Sequence, residues 1–217
     1  MFMQLDHIFL FVDDLKAAEA LGQSLGLSET YRRNHVGQGT ANICYCFENA
    51  FLELLFLTDP SEASSPVIAR TGLLQRHAWR ELATCPVGIA WRLDRQEPPP
   101  TFPTWQFRPP YLPETLHIPV AVESDDLSAP LLFQSPGTEP PIDWPLERRG
   151  MLQKGAGLRR IIEVLLTSPE GFRPGPVLTT VLATTGCVLE EGSSREWSVR
   201  LILSQDIGGD TTLAIRS

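Results

Sequence analysis

The chain has 217 residues, 42% of them hydrophobic, and a formal net charge of −8. That is enough apolar material for a real core, which excludes global disorder. A surface this acidic is unsuited to nucleic-acid phosphates or to anionic membranes. No apolar run reaches the roughly 18–20 residues that span a bilayer. The start, Met1-Phe2-Met3-Gln4-Leu5-Asp6, has neither the basic opening nor the small-residue cleavage site of a secretory leader. The four cysteines, Cys44, Cys46, Cys85 and Cys187, follow no zinc or dense disulfide spacing. The expectation is a cytoplasmic protein with reduced thiols that binds neither nucleic acid nor membrane.

Residues 4–12 are apolar and rich in β-branched and aromatic side chains, which predicts a buried strand. Asp13-Asp14 offers a carboxylate to the free N–H groups of a first helical turn. Leu15, Ala18, Leu21 and Leu25 recur at helical spacing and Gly26 suits a left-handed stop, so a helix is predicted over 14–25. Three strands follow: a polar edge strand at 28–35, an alternating strand at 40–48 and an apolar strand at 51–57. Glu48-Asn49-Ala50 joins the last two as a hairpin. The order over the first 57 residues is β-α-β-β-β.

Ser65-Pro66 reads as the start of a second helix, with Val67, Leu74, Ala78 and Leu82 on one face and Gly72 as a weak point. Residues 86–95 read as a strand. Of the 19 prolines, 13 fall between Pro98 and Pro145. Proline fixes φ and removes a ladder donor, so this stretch reads as loops with two strand-like islands, 115–122 and 130–134. Phe102, Trp105, Phe107, Tyr111, Phe133 and Trp144 make it a segment packed on the core, not a free linker. From Leu158 the order β-α-β-β-β returns: a strand over 158–166, a helix over 176–185, and strands at 186–191, 196–204 and 210–216.

Two residues stand out chemically. His7 lies inside the first strand, on the face assigned to Leu5, Phe9 and Phe11; it reads as a metal ligand, a proton carrier or a hydrogen-bonded core histidine. Glu53 interrupts Phe51-Leu52-Glu53-Leu54-Leu55-Phe56-Leu57, where neither face looks solvated. A buried carboxylate is costly unless paired, protonated or bound to metal. The bland alternative is an ion pair with an arginine or a strand face open to water. Trp91 and Trp105 suit core packing or an aromatic wall. Cys44 has no basic partner and reads as a small core residue. Gly155-Ala156-Gly157 lacks the ending of a phosphate loop and precedes a strand.

Leu5-Asp6-His7-Ile8 followed by Asp13-Asp14-Leu15, and His35-Val36-Gly37-Gln38-Gly39-Thr40-Ala41-Asn42 followed by Phe51-Leu52-Glu53-Leu54-Leu55, together resemble a module of the glyoxalase-like, or vicinal oxygen chelate, superfamily. The close likeness covers about the first 60 residues. It implies an α+β fold in which paired βαβββ modules form an open, curled mixed sheet. The modules are expected at 1–60 and 158–217, with 61–157 as an elaborated, Pro-rich connection. The resemblance also implies a cavity between modules for a small oxygen-rich molecule. His7 and Glu53 would hold a divalent metal (Zn, Fe, Mn or Ni), with Glu53 also the catalytic residue of a lyase, isomerase or ring-cleaving dioxygenase.

The second half departs from that pattern. Arg160 stands where a second histidine would, and Thr211 to Ser217 contains no carboxylate; residues 86–95 are an alternative first strand for the second module but also lack a histidine, and Gln134, His117 and Glu163 are the nearest polar substitutes. Arg160 suits an anionic ligand group instead. Gln38 and Asn42 are substrate-binding candidates, although Gly37-Gln38-Gly39 is also turn-like. The missing ligands favour an alternative, a metal-free binding protein similar to the bleomycin-resistance members. A third reading makes the Pro-rich segment a partner-binding surface. A homodimer is what the family leads one to expect.

Overall fold

The computed structural model describes residues 3–93 and 98–216. The last two residues of the strand expected over 86–95, the terminal residues Met1 and Phe2, and Ser217 lie outside them.

The first module forms as its sequence pattern dictates. Strand β1 (Met3–Phe11) leads to helix α1 (Leu15–Ser24), where Asp14 accepts the Ala17 N–H at 2.8 Å and Gly26 takes φ +67 just past the end. Strands β2 (Tyr31–His35), β3 (Thr40–Cys46) and β4 (Phe51–Leu57) follow. Beyond them the expected single helix over 65–82 is broken into pieces. Helix α2 (Pro60–Ala63) is capped by Asp59, and α3 (Leu73–His77) and α4 (Trp79–Leu82) are separate turns. Gly72 in the left-handed region and Ala78 outside helical geometry are the breaks. The expected face does not form either: Val67 and Leu82 are exposed, and Ile68, Leu73 and Trp79 are the side chains that bury.

Strand β5 (Val87–Leu93) is followed by three short strands, β6 (Thr104–Phe107), β7 (Ile118–Ala121) and β8 (Leu131–Gln134). The two expected islands are β7 and β8; β6 lies between Pro103 and Pro109 and was not anticipated. Helix α5 (Leu146–Arg149) closes the Pro-rich stretch. Then come β9 (Leu158–Ser168), α6 (Pro176–Thr185), β10 (Cys187–Glu191), β11 (Ser198–Gln205) and β12 (Thr211–Arg216).

Eight strands form one sheet in the order β2-β3-β4-β1-β5-β8-β7-β6. The order is a mirror about the antiparallel β1–β5 pair. On one side β1 runs parallel to β4, with Phe9 opposite Glu53; on the other β5 runs parallel to β8, with Ala90 opposite Phe133. The counterpart of the first module in this sheet is therefore 87–134, not 158–217. Residues 158–216 do keep the expected order β-α-β-β-β. They build a separate sheet, β10-β9-β11-β12, with β9 in its interior, whereas β1 borders the first module. Element order alone does not encode which strands pair; the alternative opening strand, 86–95, is the one that pairs with β1.

One face of the large sheet is the main core. Ile8, Leu10, Ile43, Leu52, Leu54 and Ile89 are fully buried there and pack with Leu178 and Val181 of α6 and with Val164, Val199 and Leu201 of the second sheet. Each such side chain contributes roughly 1.5–3 kcal/mol by leaving water. Two polar groups hold the parts together. Arg76 of α3 is fully buried and donates to the carbonyls of Cys85 at 3.1 Å, Ala129 at 2.6 Å and Ser124 at 3.0 Å. Glu123, just after β7, caps α6 by accepting the N–H groups of Val177 at 3.0 Å and Leu178 at 2.8 Å.

Arg76→Met is expected to lower the unfolding free energy by about 3 kcal/mol, because three buried carbonyls lose their donor. Glu123→Ala should cost about 1 kcal/mol, as a lost helix cap does. Urea unfolding followed by tryptophan fluorescence ranks the two; equal losses would show that water replaces the arginine.

Candidate functional site

The alternation of β1 is interrupted by a bulge. Leu5 pairs with Trp91 and His7 with Ala90, so Asp6 has no opposite number. The extra residue reverses the faces. Met3 and Leu5 join the core face with Ile8 and Leu10, and Leu5 is not on the face of His7 as the plain alternation suggested. His7 shares its face with Phe9 and Phe11, and Asp6 reaches the same side. Bulges re-aim side chains in this way next to functional sites. Across the seam, Gly88 has no Cβ where the Phe9 ring lies; a Cβ there would meet it at 2.0 Å.

This second face carries a cavity of about 500 Å³. Its floor under β1–β4 is polar and its floor under β5–β8 is apolar. The Pro-rich segments roof it: Tyr111 stacks on His35 with centroids 4.8 Å apart, and Trp144 packs edge-on against Phe51 at 5.9 Å.

His7 and Glu53 meet at the floor, 8% and 7% exposed, with His7 Nε2 3.3 Å from Glu53 Oε2. His7 Nδ1 is 2.7 Å from Asp6 Oδ1. A carboxylate only accepts, so Nδ1 donates to Asp6, and the Nε2···Oε2 approach is satisfied by a second hydrogen. Phe51 stacks on the imidazole at 4.4 Å and fixes its plane. Arg92 donates to the Leu5 carbonyl at 2.7 Å and to Gln4 Oε1 at 2.9 Å, and stands 3.8 Å from Asp6 Oδ2.

The other oxygen of Glu53 is held by Asn42. Asn42 Oδ1 accepts the Arg33 N–H at 2.9 Å, which leaves Nδ2 to donate to Glu53 Oε1 at 2.7 Å and towards His35 Nε2 at 3.3 Å. His35 Nε2 is then the acceptor and Nδ1 the donor, to Thr40 Oγ1 at 2.9 Å. Gln38 also donates to Thr40 Oγ1, at 2.8 Å. Burial is the main cause that lowers His35 below its ordinary value and keeps it neutral, against the opposing pull of Glu53. Burial raises the phenols of Tyr31 and Tyr111 well above theirs, with Glu53 adding to the effect, so both remain hydroxyl donors. Burial likewise pushes the Cys46 thiol up to about 12 and Cys44 well above its ordinary value, which suits packing and not nucleophilic attack.

The structure thus brings His7, Glu53, Asn42 and Gln38 together. The polar atoms of Asn42 are engaged within the protein, so it orients Glu53. Arg160 does not join them. It is exposed on β9 and lines a second cavity of about 340 Å³ behind the sheet, with Arg92 and Glu163. Neither Gln134 nor His117 lines the main cavity. Trp91 is fully buried in the main core, whereas Trp105 lies beneath Arg70 at 4.6 Å. Asp6, His35 and Tyr111 were missed as site residues. Asp6 adjoins His7 in the chain, but only the bulge lets neighbours share a face.

For a metal, His7 Nε2 and Glu53 Oε2 are two suitable donors. The mirror-related strands β5 and β8 present Gly88, Ala90, Leu131 and Phe133 to the same face, none of which ligates a metal. Among the described residues no group of three or more His, Cys, Asp or Glu converges. The side chains do not fit a four-donor chelate.

A family model described as "Glyoxalase-like domain" matches residues 5–116. No curated protein matches the sequence. Among solved structures, a hypothetical protein from Staphylococcus aureus aligns at 12% identity and TM-score 0.50, covering 89% of this chain and 88% of that one. It shows a shared fold. A methylmalonyl-CoA epimerase from Mycobacterium tuberculosis aligns at 15% identity and TM-score 0.36, over 60% of this chain and 85% of that one. A Streptomyces coelicolor methylmalonyl-CoA epimerase in complex with 2-nitronate-propionyl-CoA aligns at 16% identity and TM-score 0.37, over 63% of this chain and all of that one.

The buried, neutral His35 has a pH signature. Its folded-state value lies below the ordinary 6.5, so the unfolded chain takes the proton first as pH falls. Its contribution to stability is whole above about pH 6.5 and declines on acidification below it. His35→Gln is expected to flatten the fall in stability between about pH 7 and 5 relative to wild type. Urea midpoints across that range measure it, and parallel curves would refute the assignment.

Proposed function

The chain belongs to the glyoxalase-like domain family, and from that premise we propose that its cavity binds a small oxygen-bearing molecule and that Glu53 exchanges a proton with it. The observation that carries this reading is the Glu53 Oε2–His7 Nε2 pair, 3.3 Å apart at the floor of the cavity.

The roles follow from the hydrogen bonds. Asn42 occupies Oε1, which leaves Oε2 as the oxygen that meets a bound molecule. As a carboxylate it removes a proton from a carbon next to a carbonyl: the C–H bond breaks, an O–H bond forms at Oε2, and the electron pair moves to the carbonyl oxygen. His7 Nε2–H donates to that oxygen as its charge grows, and Asp6 holds the imidazole in place through Nδ1. Return of the proton to the same or another carbon gives an isomerase; loss of a leaving group gives a lyase. The ring-cleaving dioxygenase reading needs a metal set that these side chains do not form.

A second reading, binding without chemistry, draws support from the apolar half of the cavity, where Phe107, Ile118, Val120, Leu131 and Phe133 supply shape and no reactive group.

Deuterium uptake from heavy water into a panel of small keto acids and hydroxy ketones, followed by mass spectrometry, separates the two. Exchange by wild type that falls at least about 100-fold in Glu53→Gln, with thermal stabilisation by the same compound retained, is the expected result. Stabilisation without exchange makes the protein a binder. Retained exchange in Glu53→Gln removes Glu53 from the chemistry. Zinc or manganese kept at one ion per chain after dialysis, and lost in His7→Ala, would restore the metal reading.

A further inference from the structure

The charges around the cavity are unevenly matched. Asp6 faces His7 and Arg92, and Glu53 faces His7 and Asn42. Glu139 is the third acidic residue of the lining and has an interaction of its own, and two guanidinium groups also line the cavity, Arg33 from β2 and Arg148 from the end of α5. Among the described residues no carboxylate is paired with either. Arg148 lies over the Trp144 ring, its Cζ 3.6 Å from the centroid. Arg33 sits beside a contrast: its neighbour Arg32, on the other face of the same strand, engages both Glu29 at 2.5 Å and Glu19 at 3.1 Å. In a chain with 26 acidic residues and a net charge of −8, two unmatched cations on one cavity are a selective omission.

The opposite end of the cavity has no charge to offer. Ile118, Val120 and Leu131 are nearly fully buried, and Phe133 sets its ring 5.3 Å from His7, at the border of the two regions. A molecule filling the cavity therefore has an apolar body at one end and negative charge at the other.

We infer that the ligand of this cavity is an organic acid with an apolar body, its oxyanion held by Arg33 and Arg148 and its carbon chain or ring laid against Ile118, Val120 and Phe133. The planar, two-pronged guanidinium matches a carboxylate or a phosphate oxygen pair. The inference rests on the cavity reading above and names its substrate class. It also gives the contact of Arg148 with Trp144 a use: a cation already held against a ring loses less freedom when it binds.

Octanoate, octyl phosphate and the neutral octanamide are the probes, titrated calorimetrically at low ionic strength into wild type, Arg33→Gln, Arg148→Gln and the double variant. Both arginines are exposed, so the variants keep the fold, and thermal melts check that. At least one acid is expected to bind wild type about tenfold or more tighter than octanamide, and each single variant to weaken that acid about tenfold while leaving octanamide unchanged. Which acid wins distinguishes carboxylate from phosphate. If octanamide binds wild type as tightly as the acids, the cavity reading stands and the acid inference falls. Preference for the acid that survives in the double variant also overturns it. If none of the three binds, the cavity reading falls with it.

Discussion

The molecule depends on one seam, the antiparallel pairing of β1 with β5, and on the single extra residue inside it. The seam joins two four-stranded halves into a continuous sheet. The bulge at Asp6 reverses the alternation, so Leu5 and Ile8 both enter the core while Asp6 and His7 both reach the cavity. Arg92 comes from the partner strand and bonds the Leu5 carbonyl, beside the unpaired residue. Backbone irregularity is costly when its polar groups are left unmatched. Here an arginine from β5 covers it, and the same guanidinium stands behind the carboxylate that orients His7.

From that seam the polar chain runs outward through β4, β3 and β2. Asp6, His7, Glu53, Asn42, His35, Thr40 and Gln38 are each within hydrogen-bonding reach of the next, and all are buried. Such a chain is stable only when nearly every donor meets an acceptor. Asn42 illustrates the point, since its one oxygen and one nitrogen serve three residues on the two strands that flank it. The arrangement fixes Glu53 before any ligand arrives, which is the pre-organisation that proton transfer needs.

Much of the first half was legible because its signals are local. The Asp14 cap, Gly26 and the alternation of β3 each act within a few residues, and Glu53 announced itself as a carboxylate in an apolar run. The glyoxalase-like motifs at His7 and at Phe51 to Leu55 led to the correct family. What escaped was non-local. A bulge is a statement about the partner strand, so Leu5 was assigned to the wrong face. Four-residue strands flanked by prolines carry too little periodicity to show that β6, β7 and β8 complete the large sheet. A second β-α-β-β-β order at 158–216 looked like the missing half, and Arg160 was drawn into the site by that match. In space it lies behind the sheet, beside Arg92.

The mirror symmetry of the large sheet is one of outline and not of composition. Buried polar groups come from β1, β2, β3 and β4, while β6, β7 and β8 supply contour. A division of this kind separates two evolutionary variables that most binding sites entangle. Substitutions at Ile118, Val120 or Leu131 can reshape the cavity without displacing a hydrogen bond to Glu53, so on the proposed reading ligand preference is free to drift while the groups proposed for proton transfer stay put.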